Sequence, residues 1–462
     1  MKILLLNPPA RQKNHESIVV PPLGLAYLAS SAKKEGFHVS ILDAFALGMD
    51  WNELESEVHK ISPDILGIGG MSPVIDTTFR AVKLLRGKVK NIIMGGPHIT
   101  AFGAKIFEQC PEIDIGVYGE GERTFVEVLK SISEGKTFNH IDGVITREFT
   151  GKPREMIKDI DSIPYPSRDG LPNERYRYLF GWKGKMTTMF TSRGCPYHCV
   201  FCDKSVFGTG WRSRSPENII SEIEEVVNLY GTRNIIFYDD LFTLQKERVL
   251  KLCAMIEERK LKIQWKCEGR ADRIDREMLR TMKKAGCQII AFGVESGNQK
   301  GLDYLKKSMD LGKVKDAFSM AKKEGIETIA YFILGIPNET FDEEKKTVEF
   351  ALEIDPTYAQ FSALSPYYGT WLYDEALKNG WYREIDAQNP ADKDLKRPVV
   401  VSELWDETKL KEIVRFAYRK FYFRTGYVLK RLKYFASPSK FIELFMSGLS
   451  FLRWYFVKQK QR

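Results

Sequence analysis

The sequence predicts an α/β protein in three parts: a doubly wound, Rossmann-like domain over residues 1–146, a partial (β/α)6 barrel of TIM type over 187–363, and a mainly helical region over 364–462, with a connector at 147–186. Three observations carry this prediction. Short apolar runs alternate with helical patterns through the first third of the chain. A second set of six such units follows. Beyond residue 364 the alternation stops, and basic and aromatic residues take over.

In the first part, apolar runs at 2–6, 38–42, 65–68, 91–94 and 113–117 read as strands, and the patterns at 24–34 and 51–60 as helices. Such alternation builds a parallel sheet covered on both faces, with ligands beyond the carboxyl ends of its strands. Those ends are rich in glycine and proline: Pro21-Pro22-Leu23-Gly24, Gly69-Gly70-Met71-Ser72-Pro73, Gly95-Gly96-Pro97-His98 and Gly119-Glu120-Gly121-Glu122. Glycine lets a backbone approach a ligand closely, and four such ends on one edge favour a large one. In the connector, Pro153, Pro164, Pro166 and Pro172 break any long element. In the barrel, strands are expected at 187–192, 234–238, 263–268, 288–294, 327–333 and 358–363, with helices between them such as 216–229, N-capped by Ser215.

The formal charge of +9 is local. Residues 411–462 hold 13 Lys and Arg against Glu412 and Glu443, while the preceding residues hold 57 basic and 59 acidic side chains. This excludes a generally basic, nucleic-acid-coating protein. The N-terminal apolar run is too short for a signal peptide, and no stretch nears the roughly 20 apolar residues of a membrane span. A cytoplasmic location is therefore expected, with the seven cysteines as free thiols or ligands rather than disulfides.

The sharpest signal is Cys195-Pro196-Tyr197-His198-Cys199-Val200-Phe201-Cys202, directly after the first barrel strand. Three thiolates on one loop are soft ligands suited to an iron–sulfur cluster. They can hold three irons of four and leave one open to an exogenous ligand. Zinc would ask for a fourth ligand, and His198 lies awkwardly between two of the three. Cys253 falls on an apolar helical stripe, Cys267 ends a strand, and no second cluster motif exists.

Cys195, Cys199 and Cys202, with Phe201 before the last and six βα units behind them, resemble the radical S-adenosylmethionine superfamily. There the open iron of a [4Fe-4S] cluster binds the amino and carboxyl groups of S-adenosylmethionine, and an electron from the cluster releases a 5′-deoxyadenosyl radical. Residues 1–365 resemble the narrower group with an N-terminal cobalamin-binding domain, through the segment at 21–29, Gly95-Gly96-Pro97-His98 and Gly119-Glu120-Gly121-Glu122. The Asp-x-His-x-x-Gly signature that supplies a lower cobalt ligand in many cobalamin proteins is absent, and neither His38 nor His98 has that context.

The resemblance implies cobalamin contacts from Pro22, Leu23, Gly24, Ser72, Gly95, Gly96, Pro97, His98, Gly119 and Glu120. For S-adenosylmethionine it implies Phe201, Asp239, Asp240, Glu268, Arg270, Glu295, Ser296, Gly335 and Ile336. Arg270 could fork onto its carboxylate or pair with Asp272, and the backbone at Gly335-Ile336 could seat its adenine. The implied activity is methylation of an unactivated carbon by way of the radical and methylcobalamin, with a flavodoxin or ferredoxin as electron donor. A radical oxidative cyclisation or rearrangement, or a non-enzymatic iron–sulfur sensor or scaffold, are the alternatives.

The basic tail holds 14 aromatic residues beyond position 410. It could cover the barrel, lie on an anionic membrane at the inner face with its rings in the interface, or bind nucleic acid, the least favoured of the three. The membrane reading would suit a lipid-like small-molecule substrate.

Overall fold

A computed structural model describes residues 1–10, 18–178, 182, 184–386 and 396–432. The N-terminal sheet contains β1 (Lys2–Asn7), β2 (His38–Asp43), β3 (Ile65–Gly69), β4 (Asn91–Gly95), β5 (Ile115–Val117) and β6 (Val144–Ile145), in the order β2-β1-β3-β4-β5-β6. The first five are parallel; β6, unforeseen from the sequence, pairs antiparallel with β5. The two-residue period of β1 sorts its side chains onto two cores. Ile3 and Leu5 pack with the helices Leu23–Lys34 and Gly121–Glu134, and Leu4 and Leu6 with Trp51–Ile61 and Ile75–Leu85. Gly96 (φ +100°) allows the ends of β3 and β4 to meet, since a Cβ there would lie 2.8 Å from the Gly70 carbonyl oxygen.

The chain continues through β7 (Met186–Met189), β8 (Ser192–Arg193), β9 (Arg212–Ser213), β10 (Asn234–Phe237), β11 (Gln264–Gly269), β12 (Cys287–Glu295), β13 (Glu327–Leu334) and β14 (Tyr358–Ala363). Six of these form an open, all-parallel sheet in the order β14-β13-β12-β11-β10-β7. The strand expected at 187–192 is in fact two. β7 stops at Met189 because the buried Asp239 carboxylate captures the next polar groups: it accepts the Thr191 N–H at 2.6 Å, the Ser192 hydroxyl at 2.6 Å and the Thr191 hydroxyl. The chain turns, and β8 pairs antiparallel with β9. Ser215 caps the helix Pro216–Tyr230 as expected.

An open barrel leaves β14 as an edge, with backbone groups to satisfy. The helix Glu407–Tyr422 closes it. Leu410, Ile413, Val414, Ala417 and Phe421 enter the barrel core, Tyr422 Oη donates to the Ala359 carbonyl at 2.7 Å and accepts its N–H at 3.1 Å, and Tyr418 Oη accepts the Phe361 N–H at 3.4 Å. The described start of the basic, aromatic stretch therefore covers the barrel. The C-terminal region also contains an unforeseen hairpin, β15 (Tyr382–Asp386) with β16 (Lys396–Val400). Residues 433–462, which hold most of the later aromatic and basic runs, lie outside the described residues. No described helix is long and apolar enough to cross a membrane.

Candidate active site at the junction of two sheet edges

The cysteine loop hangs between the paired strands β8 and β9. All seven cysteines are free thiols; Cys195 and Cys199 are half-buried and Cys202 is exposed. The loop is braced from three sides. The Val200 N–H donates to Leu305 O, and the Leu372 N–H donates to Val200 O. Phe201 packs on a small core containing Leu305, Ile336 and Leu372. The Arg270 guanidinium lies 3.6 Å from the centre of the Tyr197 ring, whose hydroxyl accepts from Arg273 at 2.7 Å.

The barrel strand ends surround this loop. Asp239 is spent on Thr191 and Ser192, whereas Asp240 is exposed. Glu268 is half-buried beside Lys266 and within 3.5 Å of the Tyr331 hydroxyl. Both alternatives for Arg270 were open from the sequence; the geometry uses its fork on Asp272 (2.9 and 3.1 Å) and on the Lys307 and Ser308 carbonyls. A register shift in β12 between Gly293 and Glu295 puts Glu295 at φ +67°, where it accepts from Lys307 Nζ at 2.7 Å. Burial works against the Lys307 charge, yet Glu295 and the nearby Cys199 hold its pKa above the ordinary lysine value. Ser296 is buried, with its hydroxyl 3.2 Å from that of Thr347.

The Gly335-Ile336 backbone differs from the open surface the sequence suggests. Both N–H groups donate at 2.8 Å to Glu344, because this buried carboxyl sits behind the turn. Glu344 lies beside a second buried acid, Glu339, and Trp405 Nε1 donates to the Ile336 and Glu339 carbonyls. Burial pushes the Glu339 carboxyl up to about 7; burial and then the Glu339 charge push Glu344 well above the usual range.

On the N-terminal edge, Leu23 is buried against Ile157, Ile160 and Ile163 of the connector, and Pro22, Ser72, Gly95, Gly96 and Pro97 are half-buried. No other segment comes within 4 Å of where a side chain would begin on Gly24 or Gly119, so that side of each faces open space, while the Gly119 N–H donates to Thr100 Oγ1 at 3.1 Å. Both nitrogens of the buried His98 are engaged, Nδ1 with Ser72 Oγ at 3.0 Å and Nε2 with Gln109 Oε1 at 3.1 Å; burial lowers its pKa. Its ring stacks on Phe102, which stacks on Tyr368 from beyond β14 at 3.9 Å. Glu120 also reaches across, to Arg193 at 2.9 Å and Arg212 at 2.8 Å. The glycine-rich edge of one sheet and the cysteine loop of the other are thus in direct contact.

Two family models match the chain: the radical SAM superfamily over residues 189–351 and the B12 binding domain over residues 18–129. An uncharacterized methyltransferase of Pyrococcus horikoshii is 34% identical over 93% of this chain and 94% of its own. The chain belongs to the cobalamin-binding group of the radical S-adenosylmethionine superfamily. An anaerobic magnesium-protoporphyrin IX monomethyl ester cyclase of Rubrivivax gelatinosus is 27% identical over 88% of this chain and 75% of its own. The fold is shared with the radical S-adenosylmethionine methyltransferase TsrM of Kitasatospora setae, at 19% identity and a TM-score of 0.73 over 91% of this chain and 88% of that one.

The radical S-adenosylmethionine group uses a [4Fe-4S] cluster, S-adenosylmethionine and cobalamin, and this chain's residues fit them. Among the described residues no three His, Cys, Asp or Glu side chains converge as a single metal ion would require. A four-iron cluster needs no such convergence, since each thiolate takes its own iron, and the exposed His198 stands apart as solvent-facing. His98 offers no free nitrogen to a cobalt, in keeping with the missing histidine signature. Sequence reasoning missed Lys307, Arg193, Arg212, Glu339 and Glu344. A periodicity argument has no access to Lys307, whose partner lies twelve residues away across a helix. Arg193 offered one signal, an arginine two places before the first cysteine.

Proposed function

We propose that this radical S-adenosylmethionine enzyme transfers a methyl group to an unactivated carbon of a lipid-like small molecule. The observation that carries the reading is the contact between the two sheet edges, which sets the base of the cysteine loop against the glycine-rich turn Gly119-Glu120. When bound, the cluster with S-adenosylmethionine supplies hydrogen abstraction from carbon, and cobalamin carries the methyl group. Cys195, Cys199 and Cys202 hold the cluster, and Asp239 fixes the start of their loop. Asp240, Glu268, Glu295 and Ser296, with Lys307, provide the polar wall for S-adenosylmethionine; Gly335 and Ile336 present a turn kept rigid by Glu344. Arg270 steadies Tyr197 within the loop. Pro22, Gly24, Ser72, Gly95, Gly96, Pro97 and Gly119 border the cobalamin, with His98 supporting them from behind. A flavodoxin or ferredoxin supplies electrons. The lipid-like substrate is supported by Phe423, Val428 and Leu429, exposed apolar side chains in a basic region.

The test is anaerobic turnover with reductant, methyl-labelled S-adenosylmethionine and a lipid extract. The reading expects 5′-deoxyadenosine, S-adenosylhomocysteine and a labelled, organic-soluble product. Deoxyadenosine without S-adenosylhomocysteine or label transfer would favour the second reading, an oxidative cyclisation, which the similarity to the Rubrivivax gelatinosus cyclase supports.

A further inference from the structure

We propose that Glu120 and Glu122 are positioning residues that fasten the base of the cysteine loop to the N-terminal sheet and thereby set the separation between the cluster seat and the cobalamin seat. Glu120 ends the glycine-rich turn after β5 and Glu122 stands in the first turn of the helix that follows; for Glu120 the resemblance points only to a cofactor contact, and for Glu122 to none. Glu120 is the residue before the helix Gly121–Glu134, yet its side chain makes no capping bond to that helix. A carboxylate at a helix start ordinarily accepts the helix's own N–H groups. Here it turns outward. Glu120 Oε1 accepts from Arg193 Nη1 at 2.9 Å and Arg212 Nη1 at 3.0 Å; Oε2 accepts from Arg212 Nη1 at 2.8 Å and from the Ile157 N–H at 2.8 Å. Glu122 Oε1 accepts from Arg193 Nη2 at 2.5 Å.

The two arginines are not arbitrary. Arg193 and Arg212 face each other in the two-residue ladder of β8 and β9, which closes the loop bearing all three cysteines. One carboxylate therefore holds both ends of that loop at once. Arg212 also donates to the Ile157 carbonyl of the connector and the Phe207 carbonyl of the loop, and the Arg193 guanidinium lies between the ring of Tyr27, from an N-terminal helix, and that of Phe207. The Arg193, Glu120 and Glu122 side chains are at most 10% exposed, so water competes little for these bonds. Two carboxylates and two guanidiniums balance, so these four side chains take no net charge into the interior. Burial opposes charge on Glu120, but Arg212 and then Arg193 keep its pKa below the ordinary value. The inference rests on the family's two cofactors and not on methyl transfer, and holds equally for a cyclase.

The test uses the full-length holoenzyme, with cluster and cobalamin both reduced to their one-unpaired-electron states. Power saturation of the cobalamin EPR signal reads how strongly the nearby cluster relaxes it. At unchanged iron and cobalamin content, Glu120→Gln should move the half-saturation power severalfold, Glu122→Gln should move it less in the same direction, and Glu120→Asp should restore part of the change. Glu127→Gln, which breaks only the neighbouring pair with Arg154 away from the loop, should match wild type. Wild-type saturation in both Glu120→Gln and Glu122→Gln overturns the proposal, as does an equal shift in Glu127→Gln. If Glu120→Gln does not fold, Glu122→Gln against Glu127→Gln decides the matter.

Discussion

Lys307 is a cation enclosed by protein, and among the described residues Glu295 is its ion-pair partner. Removing a single member of a buried pair strands the other. Glu295→Gln should therefore cost about 3–5 kcal/mol in urea unfolding, and the double variant Glu295→Gln/Lys307→Met should recover much of it. Replacing Cys199 by Ala should abolish 5′-deoxyadenosine formation and the visible absorption of the reconstituted cluster, because three thiolates are the minimum for this site. The Glu339–Glu344 pair makes a separate prediction. With the Glu339 pKa raised to about 7, the folded state binds more protons than the unfolded one between the ordinary glutamate range and that value. Stability should then fall as pH rises through this window, by up to about 3 kcal/mol. Urea midpoints against pH should flatten in Glu339→Gln.

At the scale of elements, the open edge of the barrel is the feature to explain. Among the described residues no further strand lies beside β14, and tyrosine hydroxyls take the place of a partner. Tyr422→Phe removes two hydrogen bonds to Ala359 while keeping the ring. Thermal unfolding should show a loss of about 1–3 kcal/mol, including the cost of any backbone group left buried and unpaired. The same helix reaches the active-site side: a Cβ on Gly335 would lie 2.2 Å from Leu410 Cδ2, so the turn and the helix are packed as one unit. The stretch for which the sequence leaves open a barrel cover, a membrane surface or nucleic acid is, in its described part, a cover and structural wall of the barrel. Nothing in its composition announces this, since tyrosine between lysines reads the same whether it caps a strand or meets a headgroup.

At the scale of the molecule, two sheets meet edge to edge, tied by the Glu120 and Glu122 bonds to arginine and by the stack of His98, Phe102 and Tyr368. Deleting residues 426–462 removes the exposed Val428 and Leu429 and keeps the helix Glu407–Tyr422 that covers β14. The truncated protein should keep wild-type 5′-deoxyadenosine formation in detergent and lose binding to anionic phosphatidylserine vesicles in a sedimentation assay. Undiminished vesicle binding would remove the membrane argument and, with it, the support for a lipid-like substrate.

The sequence by itself determined the alternating α/β order, the position of nearly every parallel strand and the grouping of three cysteines on one loop. Each of these is written locally: apolar runs of strand length, helical periods between them, and thiols a few residues apart on one loop. The two-residue ladder that closes that loop escaped the pattern, because the strand break after Met189 is set by Asp239, nearly fifty residues further on. Only the tertiary structure decided how the acidic and basic side chains are used. Glu120 meets Arg193 and Arg212, Glu295 meets Lys307, and Glu344 meets the Gly335 and Ile336 amides. A buried charge takes whatever partner the packing of distant elements brings within about 3 Å, and that choice leaves no period or spacing in the chain.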